Sequence, residues 1–304
     1  MRIAVIDLGT NTFHLLIAEI VDQRFEIIYK TNVPVKLGEG RINENIIIPA
    51  AFERGIKCLE NFAQTINEYE VDHIKATATS AIRSAQNGTD FVAVVKEKTG
   101  LTIEIINGNE EAELIYLGVK LSGAIQDRSL IIDIGGGSVE FILCDTEKLI
   151  WKKSYNIGAA RLLQQFFKSD PINDIDKNAI LNHIQTQLSD LFEKCEEYQP
   201  KILIGSAGAF ETFAELIINK QNDHVDIKNV KTYHFNFDEY IATSIELLNK
   251  DYTERAAMPG MIPLRIDMIV MATLITNYVL GRLKLNKLSL STYDLKMGSL
   301  AGFL

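Results

Sequence analysis

Short apolar runs recur along the chain, and a polar or glycine-rich turn ends each of them. Ile3–Ile6 is closed by Asp7, Leu8–Thr12 reads as a turn, and Leu15–Ile20 reads as the strand returning from it. Phe25–Lys30 continues the pattern as a third strand. Runs of this length, rich in β-branched residues, predict buried strands. The period then changes. Ile56, Leu59, Phe62, Ala63 and Ile66 share one face of a helix over Arg54–Tyr69. Strands are expected at Ile74–Thr79 and Thr102–Ile106, with a helix over Phe91–Thr99 between them. Another helix follows Asn107. Its inner face is Ala112, Ile115, Tyr116 and Val119, and Asn109 is its expected cap.

The same order begins again at Leu130. Leu130–Ile132 is apolar and ends in Asp133, Gly135–Gly137 form a turn, Phe141–Leu143 is the return strand with Glu140 at its mouth, and Leu149–Ser154 is the third strand. Aligning Asp7 with Asp133 places Gly9 on Gly135, Asn11 on Gly137 and Thr12 on Ser138, an offset of about 126 residues, the size of a domain. A pattern repeated at that spacing reads as a duplicated architectural unit. Beyond it, helices are predicted from Asn156–Arg161 through Phe167, over Ala179–Cys195, from Ala209 to Ile218, over Asp238–Asn249 and over the apolar stretch Met268–Leu280. Strands are expected at Lys201–Ile204 and Leu288–Ser291, and Leu295–Leu304 closes the chain as a short helix packed back on the first unit. Alternating strands and helices make this an α/β chain. The expected division is residues 1–122 with 288–304, and 123–287, with a crossover near Ser122–Arg128 and a return near Asn286.

Composition narrows this picture only a little. The chain has 304 residues, 47% hydrophobic and 23% charged, as in ordinary globular proteins. A net charge of −9 argues against a nucleic-acid or anionic-membrane partner. Met268–Leu280 is too short to span a bilayer and contains Thr273, Thr276 and Asn277. The start enters a strand at once, without the features of a signal peptide. Cys58, Cys144 and Cys195 are scattered and odd in number, so neither a disulfide frame nor a metal knuckle is expected, and a reducing, cytoplasmic setting is.

The candidate chemistry lies in the turns. Glycines let backbone N–H groups approach a ligand closely, and an acid flanks the second turn on each side, Asp133 and Glu140. Amides and carboxylates share a phosphate site when a divalent cation sits between acid and phosphate. The plain alternative is a hairpin with a flexible turn. Arg83, after Thr79 and Ser80, offers a forked donor for an oxyanion, against the alternative of a solvated arginine at a helix start. Glu110 and Glu111 occupy a first helical turn, where the helix dipole alone would account for both. Gly205-Ser-Ala-Gly208 is a strand-to-helix turn suited to phosphate, but no Lys-Ser/Thr follows, so it is not a P-loop. Arg265 and Asp267 enter an apolar helix from its start, where they would cap and pair.

Six motifs in order, Ile6–Thr12, Ala78–Arg83, Gly108–Ala112, Ile132–Ser138 with Glu140, Gly205–Gly208 and Pro263–Asp267, resemble the exopolyphosphatase / guanosine-pentaphosphate phosphohydrolase family of the actin, Hsp70 and sugar-kinase superfamily. The resemblance implies two ribonuclease-H-like (actin-like ATPase) domains with mixed five-stranded sheets and an active site in the interdomain cleft. It implies hydrolysis of the terminal phosphoanhydride of inorganic polyphosphate, or of guanosine pentaphosphate (pppGpp), by a homodimeric enzyme. On the matching positions it makes Glu111 the catalytic base and Asp7, Asp133 and Glu140 the Mg²⁺ side. Phosphate would be held by Gly9, Thr10, Asn11, Thr12, Arg83, Gly135, Gly136, Gly137, Ser138, Gly205, Gly208 and Arg265.

Three departures accompany the resemblance. The chain reads as a short form, without room after Leu304 for the C-terminal helical region of longer relatives. The family's Gly-Leu-Arg-Glu-Gly stands here as Asp294-Leu-Lys-Met-Gly298, and the usual Thr after the Gly-Ser-Ala-Gly turn is Ala209. The last two tilt the expectation toward polyphosphate. The rivals are an actin-like ATPase or small-molecule kinase, and a non-catalytic polyphosphate or alarmone sensor. All four proposed acids are present, which speaks against a sensor alone.

Overall fold

The computed structural model describes residues 1–22, 24–206, 208–221 and 225–304. It divides into two compact units, Met1–Gly118 with Leu295–Leu304, and Val119–Asp294.

The first unit opens with β1 (Arg2–Leu8), β2 (Thr12–Val21) and β3 (Arg24–Pro34). Then follow α1 (Pro49–Glu68), β4 (His73–Ala78), α2 (Ser80–Ser84), α3 (Gly88–Thr99), β5 (Ile103–Ile105) and the start of α4 (Gly108–Ser122). Helix α1 begins before the expected Arg54 because Pro49 stands in its first turn, where a missing N–H costs nothing. The sheet order is β3-β2-β1-β4-β5. β1 pairs antiparallel with β2 and parallel with β4. Its core includes Ile6, Leu15, Leu59, Phe91 and Val95.

The second unit contains β6 (Ser129–Ile134), β7 (Val139–Cys144), β8 (Leu149–Tyr155), α5 (Ala159–Phe166), α6 (Asp174–Gln187), α7 (Ser189–Tyr198) and β9 (Ile202–Ser206). It continues with α8 (Gly208–Gln221), β10 (Thr232–His234), α9 (Phe237–Asn249), α10 (Tyr252–Ala256), α11 (Met268–Leu283) and β11 (Leu288–Ser291). Its sheet runs β10-β11-β9-β6-β7-β8. Read from β8 to β11, order and polarity repeat those of the first sheet, so the duplication is architectural and both units are ribonuclease-H-like. The second sheet has six strands, not the expected five, because the short β10 pairs antiparallel with β11. β11 is an interior strand here. The return to the first unit therefore comes at Leu295, later than residue 288.

Two helical expectations change. Ala179–Cys195 is not one helix, since Leu188 leaves helical geometry (φ −98°, ψ 15°) with its side chain fully buried. Apolar periodicity runs through the break because both α6 and α7 face the same core, which hides it from a pattern count. The closing helix is α12 (Leu295–Ala301), shorter than expected, and it packs on β1. Gly298 lies so close to α4 that a Cβ would fall 1.8 Å from the Leu114 carbonyl oxygen, which accounts for glycine in that motif. Lys296 of the same motif is buried. The three cysteines are free and buried, and burial pushes each thiol up to about 12. Among the described residues, no helix is long and apolar enough to cross a membrane.

Candidate active site

In the first unit the turn between β1 and β2 is closed by the Gly9 amide donating to the Thr12 carbonyl at 3.1 Å. A Cβ on Gly9 would stand 2.9 Å from that oxygen, so the turn requires a glycine. The carbonyls of Thr10 and Asn11 accept from the Gly38 and Lys36 amides, at 3.1 and 2.8 Å. A trans peptide sends its N–H opposite its C=O. With these carbonyls engaged by the 36–38 loop, the Asn11 and Thr12 N–H groups point to the other side. Thr10 is buried. Asp7 lies directly across from His14, and in parallel register with Thr77.

Helix α4 carries Glu111, the expected base. Asn107, not Asn109, is its cap. The Asn107 carboxamide oxygen accepts from the Asn109 and Glu110 amides, and the Glu110 carboxylate accepts from the Asn107 amide at 2.7 Å. This reciprocal box commits Glu110 to structure. Glu111 differs from it by one position, about 100° around the helix, and is 7% exposed. Its Oε2 accepts from Arg83 Nη1 at 2.8 Å, and the same nitrogen donates to the Ile106 carbonyl at 3.1 Å. Both are held by short connections, Arg83 on α2 just after β4 and Glu111 at the head of α4 just after β5. Thus the structure brings the expected base and an expected phosphate donor into one ion pair.

In the second unit the turn between β6 and β7 is closed in the same way, with the Gly135 amide donating to the Ser138 carbonyl at 3.0 Å. Helix α5 lies behind it. The Ala159 and Ala160 amides donate to the Gly135 and Gly136 carbonyls, each at 2.9 Å, and Arg161 Nε donates to the Gly137 carbonyl at 2.9 Å. Free N–H groups at a helix start often hold an anion. Here they are spent on the turn, which aims the Gly136, Gly137 and Ser138 N–H groups away from α5. Gly158, the cap residue of α5, allows this approach, since a Cβ there would meet the Gly136 oxygen at 2.4 Å and the Gly137 carbonyl carbon at 2.5 Å. Sequence reading passed over this support. The small residues Gly158-Ala-Ala160 at a helix start were its one visible trace.

Asp133 and Glu140 are cross-strand partners, so their side chains leave the same face with Cβ atoms about 5 Å apart. Glu140 is 1% exposed, and its Oε1 accepts from the Ser154 hydroxyl at 2.6 Å. Among the described residues no group of three or more His, Cys, Asp or Glu could hold a metal by itself. Two adjacent carboxylates do suit Mg²⁺, which keeps several waters and completes its shell with substrate phosphates.

The strand-to-helix turn after β9 separates its two glycines. Gly205 is a packing residue, because the Phe210 ring occupies the space a Cβ would take, at 2.0–2.3 Å. Gly208 has φ +49°, and its Cα faces Arg265, whose Nη2 would lie 3.3 Å from a Cβ. Ala207 of this motif lies outside the described residues. Burial draws the Arg265 guanidinium below the usual arginine range, while Glu211 and Asp133 pull it back up. Among the described residues, its Nε and the Ser206 hydroxyl are buried without hydrogen-bond partners. Unpaired buried donors of this kind call for an explanation, and an anion supplies one.

Both turns stand at carboxyl ends of strands that have parallel neighbours, the place where open α/β sheets bind ligands. The sequence profile of the Ppx/GppA phosphatase family matches residues 16–304. The chain belongs to this family. It is 31% identical over 215 residues to a guanosine-5'-triphosphate,3'-diphosphate pyrophosphatase of Pseudoalteromonas atlantica, covering 71% of this chain and 43% of that protein. It is 30% identical over 216 residues to a Haemophilus influenzae protein named for exopolyphosphatase activity, covering 71% of this chain and 67% of that one. The chain thus spans less than half the length of the first of these relatives. Among solved structures, an exopolyphosphatase from Cytophaga hutchinsonii is 36% identical, with a TM-score of 0.97 over 100% of this chain and 97% of that one. The likeness to that structure includes the first turn, which precedes the residues the family profile matches.

Proposed function

We propose that this chain is an exopolyphosphatase that releases orthophosphate from the end of inorganic polyphosphate. The observation that carries the reading is the Glu111–Arg83 pair, next to a Glu110 already committed to capping. Phosphoryl transfer depends on in-line positioning and charge neutralisation more than on covalent help. The amides of Asn11 and Thr12 and those of Gly136, Gly137 and Ser138 hold phosphate oxygens, and Arg83, Gly208 and Arg265 supply further donors. Glu111 orients a water and accepts its proton as the water oxygen bonds to the terminal phosphorus and the bridging oxygen leaves with the shortened chain. Arg83 fixes the carboxylate that does this. Asp7, Asp133 and Glu140 would hold Mg²⁺, which when bound spreads the charge developing on the phosphoryl oxygens.

The match to a guanosine-5'-triphosphate,3'-diphosphate pyrophosphatase supports a second substrate, pppGpp, at the same groups. A cytoplasmic location, a homodimer and the absence of a nucleic-acid or membrane partner belong to the same proposal. The three unpaired cysteines favour the location, and the net charge of −9 favours the absence of those partners. The deciding experiment measures phosphate release from long-chain polyphosphate, pppGpp and ATP, each with and without Mg²⁺. Release from polyphosphate is expected. Activity on ATP alone would sink the reading, and binding without release would make the chain a sensor.

A further inference from the structure

Of the three peptide planes in the Gly135–Ser138 turn, two are anchored by helix backbone and the third by a side chain. The Gly135–Gly136 and Gly136–Gly137 carbonyls are taken by the Ala159 and Ala160 amides, while the Gly137–Ser138 carbonyl is taken by Arg161 Nε at 2.9 Å. Turning this plane over changes ψ of Gly137 and φ of Ser138, and the flip would replace the Ser138 N–H facing the ligand with a carbonyl oxygen. An oxygen in that place repels phosphate. Arg161 is 8% exposed and lies in the first turn of α5, with its own amide on the Gly136 carbonyl at 3.3 Å. It is thus held from both ends, by backbone and by side chain, against the turn it supports.

We propose that Arg161 is a positioning residue that locks the Gly137–Ser138 peptide with its N–H toward the phosphoryl group. It never touches substrate. Its contribution is to keep one amide donor in register as charge develops. The catalytic part of this statement rests on the exopolyphosphatase reading, and the binding part does not.

The test is Arg161→Gln, with Arg161→Lys as the conservative partner, read first by amide NMR. Inorganic tripolyphosphate without added metal serves as the probe. In the unsubstituted chain it should shift the Gly136, Gly137 and Ser138 amide resonances. In Arg161→Gln the Ser138 response should be lost while Gly136 still responds, because its plane is held by Ala159. With long-chain polyphosphate and Mg²⁺, kcat should fall about 10²-fold, the usual effect of losing one preorganised donor, while KM moves far less. Arg161→Lys should recover part of the Ser138 response. Equal loss at all three amides would mean that Arg161 merely stabilises the turn, and an unchanged Ser138 response would mean that it does nothing there. Either result overturns the proposal, as does an unsubstituted chain whose Ser138 ignores tripolyphosphate. If that amide responds but no phosphate is released from polyphosphate, the hydrolase reading falls and the positioning role stands.

Discussion

The two turns share a closing hydrogen bond and a place in their sheets, yet they are built for different work. In the first, the carbonyls of Thr10 and Asn11 are held by the loop amides of Gly38 and Lys36. In the second, those of Gly135–Gly137 are held by the start of a helix and by Arg161. The first turn keeps side chains at Thr10 and Asn11, while the second presents bare backbone. The acid of the first faces His14 across the hairpin, and the acid of the second faces Glu140. Duplication preserved the backbone device in both units. Divergence then left two facing carboxylates in the second unit and the Glu111–Arg83 pair in the first.

The largest expected effect tests that division. Glu111→Gln should lower kcat by about 10²–10⁴-fold, the usual range for a general base, while tripolyphosphate still binds in calorimetry. Near-normal turnover would remove the base from the first unit. Gly158→Ala should come next. A Cβ 2.4–2.5 Å from the backbone of Gly136 and Gly137 has no flexible neighbour to displace, so about 1–3 kcal/mol of stability should be lost, together with phosphate release, in thermal melts and assays. An unaffected enzyme would show that the second turn does not depend on α5.

A subtler contrast sets Gly9→Ala against Gly135→Ala. The added Cβ would meet a carbonyl oxygen at 2.9 Å in the first turn and at 3.1 Å in the second. Both should destabilise, Gly9→Ala more, and the reverse order in melting temperature would contradict the described turn geometry. The smallest effect concerns acid. Asp145 is held below the usual carboxylate range by the Lys148 amide and the Tyr198 hydroxyl, and Asp176 by the Ser169 hydroxyl and the Lys168 amide. A lowered folded-state pKa contributes stability that is present above the unfolded value of about 3.9 and lost as pH falls through the folded one. Trp151, the single tryptophan, lies in β8 and reports on the second unit. Urea titrations followed at Trp151 should therefore lose stability below about pH 4, with a shallower slope in Asp176→Asn. An unchanged slope would clear Asp176 of that role.

Most of the fold was readable because apolar period and turn chemistry are local. The strands around both turns, the helix over α4 and β11 follow from such patterns. The exceptions share a cause. β10 has three residues and exists only because β11 offers it an edge. The break at Leu188 and the cap at Asn107 depend on which neighbours fill hydrogen bonds, and apolar period carries no record of that.

The site divides along the same line. The chain's own pattern determined that two Asp-containing turns recur a domain apart, and that acids, glycines and an arginine accompany them. Those properties belong to short stretches and survive in a linear reading. Only the tertiary structure decided which of two adjacent glutamates caps the helix and which pairs with an arginine, because Asn107 claims Glu110 and Arg83 meets Glu111 across 28 residues. It also decided that Gly205 packs against Phe210 while Gly208 faces Arg265, and that α5 stands behind the second turn. Each of these depends on groups distant in sequence competing for the same few hydrogen-bond partners and the same small volumes, and that competition is settled only when the chain packs.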